Sequence, residues 1–152
     1  MSLQSNRSSL PVLSCADGIA AGMTDTLILL GRVLIAAVFF LTAWFGSPNV
    51  GYLTSLGYPY PDLLSPVAIT VEFVGVVSIV LGIATRYGAL LGLLFVIIAT
   101  VTAHRYWTYP QPQQLVQYIF LTKNLAIAGG LVLLFVTGAG RYSIDRILSG
   151  KS

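Results

Sequence analysis

Four runs of this chain, residues 27–45, 66–85, 88–103 and 118–138, are dominated by Leu, Ile, Val, Ala, Gly and Phe, and each holds at most one formal charge. A helix that crosses a bilayer needs about 20 residues, so each run is close to one span. The third is shorter and would borrow residues 84–87 or 104–107 at its ends. In a chain of 152 residues, four such spans and their loops leave room for one domain. The composition agrees: 56% of residues are hydrophobic and 9% charged, against about 25% charged in soluble domains, and mean hydropathy is +0.85. So little polar surface cannot cover a water-exposed shell, which makes lipid the solvent. No alternating strand pattern or hairpin punctuation runs through these segments, which argues against a barrel. The expected fold class is all-α, a polytopic membrane protein built as a four-transmembrane-helix bundle.

Residues 1–24 are Ser-rich and nearly uncharged and read as a flexible N-terminal tail. Residues 25–146 then form the membrane domain and 147–152 a short cytoplasmic C-terminal tail. VLSC ahead of Asp17 has the outline of a lipoprotein cleavage site, but the apolar stretch before Cys15 is short and broken by Pro11. A tail without a cleaved signal is expected. With the N-terminus inside, Arg7, Arg86, Arg141, Arg146 and Lys151 collect on the cytoplasmic side, and Arg105 stands alone outside. The positive-inside bias predicts both termini cytoplasmic. The net charge of +3 is explained by this topology and by anionic lipid, with no nucleic-acid partner. Aromatic residues, among them Trp44, Tyr60, Trp107 and Tyr109 outside and Tyr87 and Tyr142 inside, suit an interfacial belt. The long loops, SPNVGYLTSLGYPYPDLLS and RYWTYPQPQQLVQ, face outward.

Depth places the polar residues of the spans. At 1.5 Å per residue Glu72 lies about 9 Å into the second span from its outer end and Lys123 about 8 Å into the fourth. His104 closes the third on the same side with Arg105 after it, so Glu72, His104, Arg105, Lys123 and Asn124 gather in the outer third. Arg32 lies about 8 Å from the inner end of the first. Helical spacing aligns Glu72 with Gly75, Ile79 and Gly82, aligns Lys123 with Ala126, Ile127 and Gly130, and aligns Arg32 with Ala36, Phe39 and Ala43. Small residues on these stripes allow close helix contact, so both Glu72 and Lys123 are expected to face the bundle.

Each of these residues has a structural and a functional reading. An unpaired charge in hydrocarbon costs at least about 2.5 kcal/mol, so Glu72 and Lys123 read first as an ion pair. Asn124 reads as a bond to a neighbouring helix, and His104 as an interfacial hydrogen bond. Arg32 can snorkel to headgroups or contact another helix. Functionally, Glu72, His104, Lys123 and Asn124 could instead hold a lipid-soluble ligand or relay protons beside the outer interface. One cysteine excludes an intrachain dithiol, one histidine excludes bis-histidine haem, and no cluster suggests a metal site. No phosphate loop, nucleotide fingerprint or nucleophile elbow occurs. No catalytic residue is assigned, and redox chemistry would need electrons from a partner.

The segments LILLGRVLIAAVFF, YLTSLGYPYPDLLSPVAITVEFVGVVSIVLGIATRYGALLG, ATVTAHRYW and FLTKNLAIAGGLVLL, followed by GAGRYSID, together resemble the DoxX family of four-helix bacterial membrane proteins over residues 25–146. The family's motif positions fall on Arg32, Glu72, Gly75, Gly82, Arg86, His104, Lys123, Asn124, Gly140 and Asp145. Where the family commonly carries a lysine after its first helix, this chain reads WFGSPNVGY. The family takes its name from small subunits of an archaeal thiosulfate:quinone oxidoreductase, and its superfamily includes secretory cargo receptors. The resemblance therefore implies the membrane subunit of a quinone-linked oxidoreductase system. In that reading no cofactor is bound by this chain alone, a quinone is the candidate ligand, and a soluble or peripheral oxidoreductase is the candidate partner, alongside lipid and a homo-oligomer. Arg32, Gly75, Gly82 and Arg86 are expected to serve structure. The alternative is a non-enzymatic membrane scaffold or receptor whose polar cluster only fixes the fold.

Overall fold

A computed structural model describes residues 11–45 and 48–150 of the chain. Along it run α1 (Pro11–Trp44), α2 (Val50–Ser55), α3 (Pro61–Leu81), α4 (Thr85–Ala103), a 3-10 turn (Tyr106–Thr108), α5 (Gln113–Thr137) and α6 (Ile144–Leu148). The described residues contain no strand. Among the described residues four helices are long and apolar enough to cross a membrane, at Asp17–Trp44, Pro61–Leu81, Thr85–Thr108 and Gln113–Thr137. All four expected spans are present among the described residues, and each helix begins before the apolar run that announced it, while α3 ends at Leu81, short of the expected end at residue 85. Their polar ends, invisible to a hydropathy reading, continue the backbone hydrogen-bond ladder.

The largest extension corrects the tail expected over residues 1–24. Residues 11–24 are the first turns of α1 and run without a break into its membrane segment, while residues 1–10 lie outside the described part. Proline tolerates the first helical position because its missing N–H has no intrahelical partner there. The chain then continues through Cys15, which is exposed, and Ala20 and Ala21, which favour helix. Of the C-terminal tail, Ile147 and Leu148 belong to α6.

The core lies between α1, α3, α4 and α5, where Ala36, Phe39, Ile79, Ala89, Val96, Leu131 and Leu134 pack together. Large apolar side chains such as Leu34, Leu94, Leu125 and Leu133 point outward. An apolar surface of this extent needs lipid around it. Helices α3 and α4 form a tight hairpin through residues 82–84. Gly82 takes a left-handed conformation, φ 68°, to end α3, as glycine does without the Cβ penalty. A Cβ there would sit 2.5 Å from Ser143 Cβ and 2.7 Å from Arg32 Nη2, so the position requires glycine twice over.

Candidate functional site

Two polar centres lie at opposite ends of the bundle. The first, here the clasp, gathers around Arg32, which is only 1% exposed. Its Nε donates to Ile79 O at 2.8 Å and its Nη2 to Val80 O at 2.6 Å. Nη1 donates to Ala139 O at 2.7 Å and Tyr142 O at 2.6 Å. The last carbonyls of a helix lack intrahelical donors, so the planar guanidinium closes the end of α3 and ties it to the loop after α5. Arg32 therefore does not snorkel to headgroups; it makes the helix-to-helix contact of its alternative reading.

Asp145 completes the clasp from the start of α6. Its Oδ1 accepts from Ala84 N at 2.7 Å, and Oδ2 accepts from Thr85 N at 3.1 Å and Thr85 Oγ1 at 3.2 Å. It thus caps α4, whose own N-cap residue, Ala84, has no side chain for the task. Its backbone N–H donates to Gly82 O at 2.8 Å. Burial works to raise the Asp145 carboxyl, but the hydrogen bonds from Thr85 and Ala84 and the nearby Arg32 outweigh it and hold the group below its ordinary value. Arg86 Nη1 donates to Phe135 O at 2.6 Å, and Asp25 Oδ1 accepts from Arg141 N at 2.6 Å. Gly140, with φ 68°, sits against Ile28 and Asp25. The family-motif residues Arg32, Gly82, Arg86, Gly140 and Asp145 thus belong to one structural fastening.

The second centre is a cavity of about 350 Å³ near the other end, between α1, α3, α4 and α5 and beneath α2. Glu72, His104, Lys123 and Asn124 all line it, with walls of Phe39, Val71, Leu91, Phe95, Val96 and Ile127. Glu72 is 4% exposed. Its Oε1 accepts from Thr42 Oγ1 at 3.1 Å, whereas its Oε2 is buried with no hydrogen-bond partner among the described residues. Buried polar atoms are paired as a rule, so this oxygen is a conspicuous exception in a largely apolar chamber.

The expected ion pair is absent. Lys123 lies on the exposed side of α5 and holds its ammonium over the Phe120 ring, 5.0 Å from the centroid, in place of the Glu72 carboxylate. It is Asn124, one residue on, that turns inward, donating to Thr100 Oγ1 at 3.0 Å. The buried positions of α5 are Asn124, Leu131 and Leu134, a face rotated by one residue from the stripe expected through Lys123. His104 caps α4, contacts Gln117 Oε1 through Nδ1 at 2.8 Å and packs against Phe120 at 5.1 Å. The stripe through Glu72, Gly75 and Ile79 is buried as expected. Gly75 nevertheless has open space where a Cβ would stand, so close helix contact is not what it provides.

Sequence reasoning missed Thr42 and the roof. Thr42 lies three residues after Phe39 on the stripe of Arg32, where a hydroxyl near a span's end was the available signal. The roof is α2, capped by Asn49, whose Oδ1 accepts from Tyr52 N at 2.8 Å. Its own Leu53 is buried, and Ser65 Oγ donates to Pro48 O at 2.8 Å to hold its start against α3. Tyr52 and Tyr58 line the cavity. Burial raises the Tyr52 phenol, and the neighbouring Tyr109 and Tyr58 add to the effect. An asparagine before a short apolar segment was the signal for this helix.

Among the described residues no group of three or more His, Cys, Asp or Glu could hold a metal ion. No solved structure matches the chain. Inner membrane protein YphA of Escherichia coli (strain K12) is 34% identical over 127 residues, 79% of this chain and 89% of that protein. Inner membrane protein YqjF of the same organism is 32% identical over 133 residues, 85% and 97% respectively. ER-derived vesicles protein ERV29 of Saccharomyces cerevisiae is 26% identical over 141 residues, 90% of this chain but 37% of that protein. With its apolar helices, these relatives make the chain a multi-pass protein of the bacterial inner-membrane type. The DoxX family pattern matches residues 27–105, from the start of the core of α1 to the end of α4, and the chain belongs to the DoxX family.

Proposed function

We propose that the cavity binds the head of a quinone-like, lipid-soluble ligand and that the protein is the membrane subunit of a quinone-linked oxidoreductase system. The observation that carries this reading is the orphaned Glu72 Oε2 in a chamber of about 350 Å³. A buried carboxyl oxygen with no protein partner is an acceptor held for something else. A ring with polar substituents fits such a site, where apolar walls take the ring and a few placed polar groups orient it. A bound quinone would supply two-electron, two-proton chemistry, with electrons delivered by a soluble or peripheral partner.

The chain's own residues would hold the head and move protons. Glu72 meets it from α3, Thr42 steadies the carboxyl from α1, and His104, held by Gln117, stands between the cavity and the loop end as a proton-exchanging group. Lys123 supplies an ammonium at the rim. In the proposed orientation both termini are cytoplasmic, so the clasp, with Arg86, Arg141 and Arg146 nearby, faces the cytoplasm and the cavity lies in the outer leaflet. Cysteines at Ser55 and Gln113 should then react with a membrane-impermeant thiol reagent in intact cells, and one at Ser149 should not.

That His104, Lys123 and Asn124 each have a partner within the chain favours a second reading, a non-enzymatic scaffold or receptor whose polar cluster is structural. One experiment separates the two. The protein is purified in native-lipid discs, and what co-purifies is extracted and identified. The quinone reading expects an isoprenoid redox lipid at stoichiometric level that Glu72→Gln loses, whereas phospholipid alone, unchanged by that substitution, would favour the scaffold.

A further inference from the structure

We infer that the ligand enters this cavity sideways from the hydrocarbon layer, through a gap between α3 and α4, and is a chain-bearing lipid whose head reaches Glu72 while its tail stays between those helices. The inference rests on the reading of the cavity as a site for a lipid-soluble ligand.

The gap follows from how the hairpin is built. Next to its turn α3 and α4 touch: the Ser78 side chain lies where a Cβ on Gly88 would go. Counting away from the turn, Val71 stands level with Phe95 and Val67 with Ala99. At this height the facing side chains line the cavity instead of closing on one another. Val67, Leu94 and Ile98 are cavity wall and outer surface at once, 50%, 55% and 48% exposed. A residue that is both marks an opening, and this one lies at bilayer depth, rimmed by Val, Leu and Ile.

Away from this seam the exposed lining residue is Lys123 on α5, a charged rim whose ammonium lies over Phe120 and does not match an alkyl chain. On the far flank Phe39 and Val96 belong to the packed core. Toward water the roof is fastened by Leu53 and by the Ser65 to Pro48 hydrogen bond, with Tyr52 and Tyr58 over the chamber. A solute from water meets a fixed lid, whereas a lipid meets an open seam that matches an alkyl or isoprenoid chain.

The test uses the full chain in lipid discs with an azido-ubiquinone carrying a decyl tail dissolved in the bilayer; labelling of cavity residues is followed against time of mixing before irradiation. Filling the seam with Val67→Trp and Ile98→Trp should slow labelling at least about tenfold, with the melting temperature checked alongside. Widening it with Val67→Ala and Ile98→Ala should leave the rate unchanged or raise it. A bulky maleimide on Ser55→Cys, exposed on α2 and outside the cavity lining, obstructs the water-facing side of the roof and should leave the rate within about twofold. Labelling blocked at the roof but indifferent to the seam, or slowed by the widened seam, overturns lateral entry while leaving the cavity a ligand site. A wild-type protein that is never labelled in the cavity overturns the ligand reading, and lateral entry with it.

Discussion

At the clasp, a buried arginine meets four carbonyl oxygens; in the cavity, a buried glutamate meets one threonine hydroxyl and leaves an oxygen bare. Both side chains are buried ionisable groups on spanning helices, yet the fold treats them in opposite ways. The clasp saturates its donors and acceptors, as a polar network must if it is to stabilise a low-dielectric interior. The cavity leaves its acceptor unmet. Saturation marks a polar group that serves the fold, and a buried unpartnered atom calls for a separate explanation. On that criterion Arg32 and Asp145 stand on one side and Glu72 on the other, since His104, Lys123 and Asn124 each have a partner of their own.

The contrast breaks most visibly at Arg32. Arg32→Met keeps the length of the side chain but strands the carbonyls of Ile79, Val80, Ala139 and Tyr142, and the expected loss is on the order of 4 kcal/mol. Arg32→Lys should recover less than half of it, because an ammonium cannot reproduce the planar fork. Thermal unfolding in detergent checks both. Wild-type stability in Arg32→Lys would mean that charge, and not geometry, closes the bundle.

Two glycines on one stripe provide the next test. Gly82→Ala places a Cβ against Ser143 and Arg32 on a backbone with positive φ and should cost about 2 kcal/mol. Gly75→Ala, seven residues earlier on the same buried face, meets nothing within 4 Å and should be neutral or gain up to about 1 kcal/mol from helix propensity. A loss at Gly75 as large as that at Gly82 would show that the cavity end is packed as tightly as the clasp.

Asp145 offers a smaller effect with a pH signature. Removing the cap of α4 with Asp145→Ala should cost about 1 kcal/mol at neutral pH. A carboxyl held below its ordinary value contributes stability that is present above about pH 4 and fades as the pH falls through its folded-state value. The wild type should therefore lose stability on acidification more steeply than Asp145→Ala, and the two should converge in acid. Melting temperatures at stepped pH would reveal parallel curves if the cap were idle.

The fold was legible because hydropathy and length are enough to announce a spanning helix, and the stripes through Arg32 and Glu72 named the faces that are buried. What escaped has a physical cause in each case. The partners of Arg32 are backbone carbonyls at a helix end, which every sequence possesses and none displays. Lys123 and Asn124 are adjacent, and a turn of α5 by one residue decides which faces inward; that choice depends on Thr100 of α4. Charge chemistry suggested that Lys123 should meet Glu72, but the Phe120 ring one turn away offers the ammonium a local partner without burial. The first turns of α1 were read as tail because serine and aspartate look like loop, although Ala20, Ala21 and Met23 carry the helix through.

The smallest expected effect bears most directly on the cavity. If Glu72 and Lys123 were an ion pair, each single substitution would strand a charge, and Glu72→Gln with Lys123→Met would restore much of the loss, giving strong non-additivity. The two side chains instead have separate partners, Thr42 for one and Phe120 for the other. The losses in the ligand-free protein should therefore add to within about 0.5 kcal/mol. Glu72→Gln should be nearly silent in stability, since the amide oxygen can still accept from Thr42, yet it should weaken binding of the decyl-tailed azido-ubiquinone. A thermal double-mutant cycle without ligand, repeated with the quinone probe present, reads both. Strong coupling without ligand would restore the ion pair and make the cavity a second clasp. Additivity without ligand, joined to a loss of the probe's stabilisation in Glu72→Gln, is the outcome that a site held open for a ligand requires.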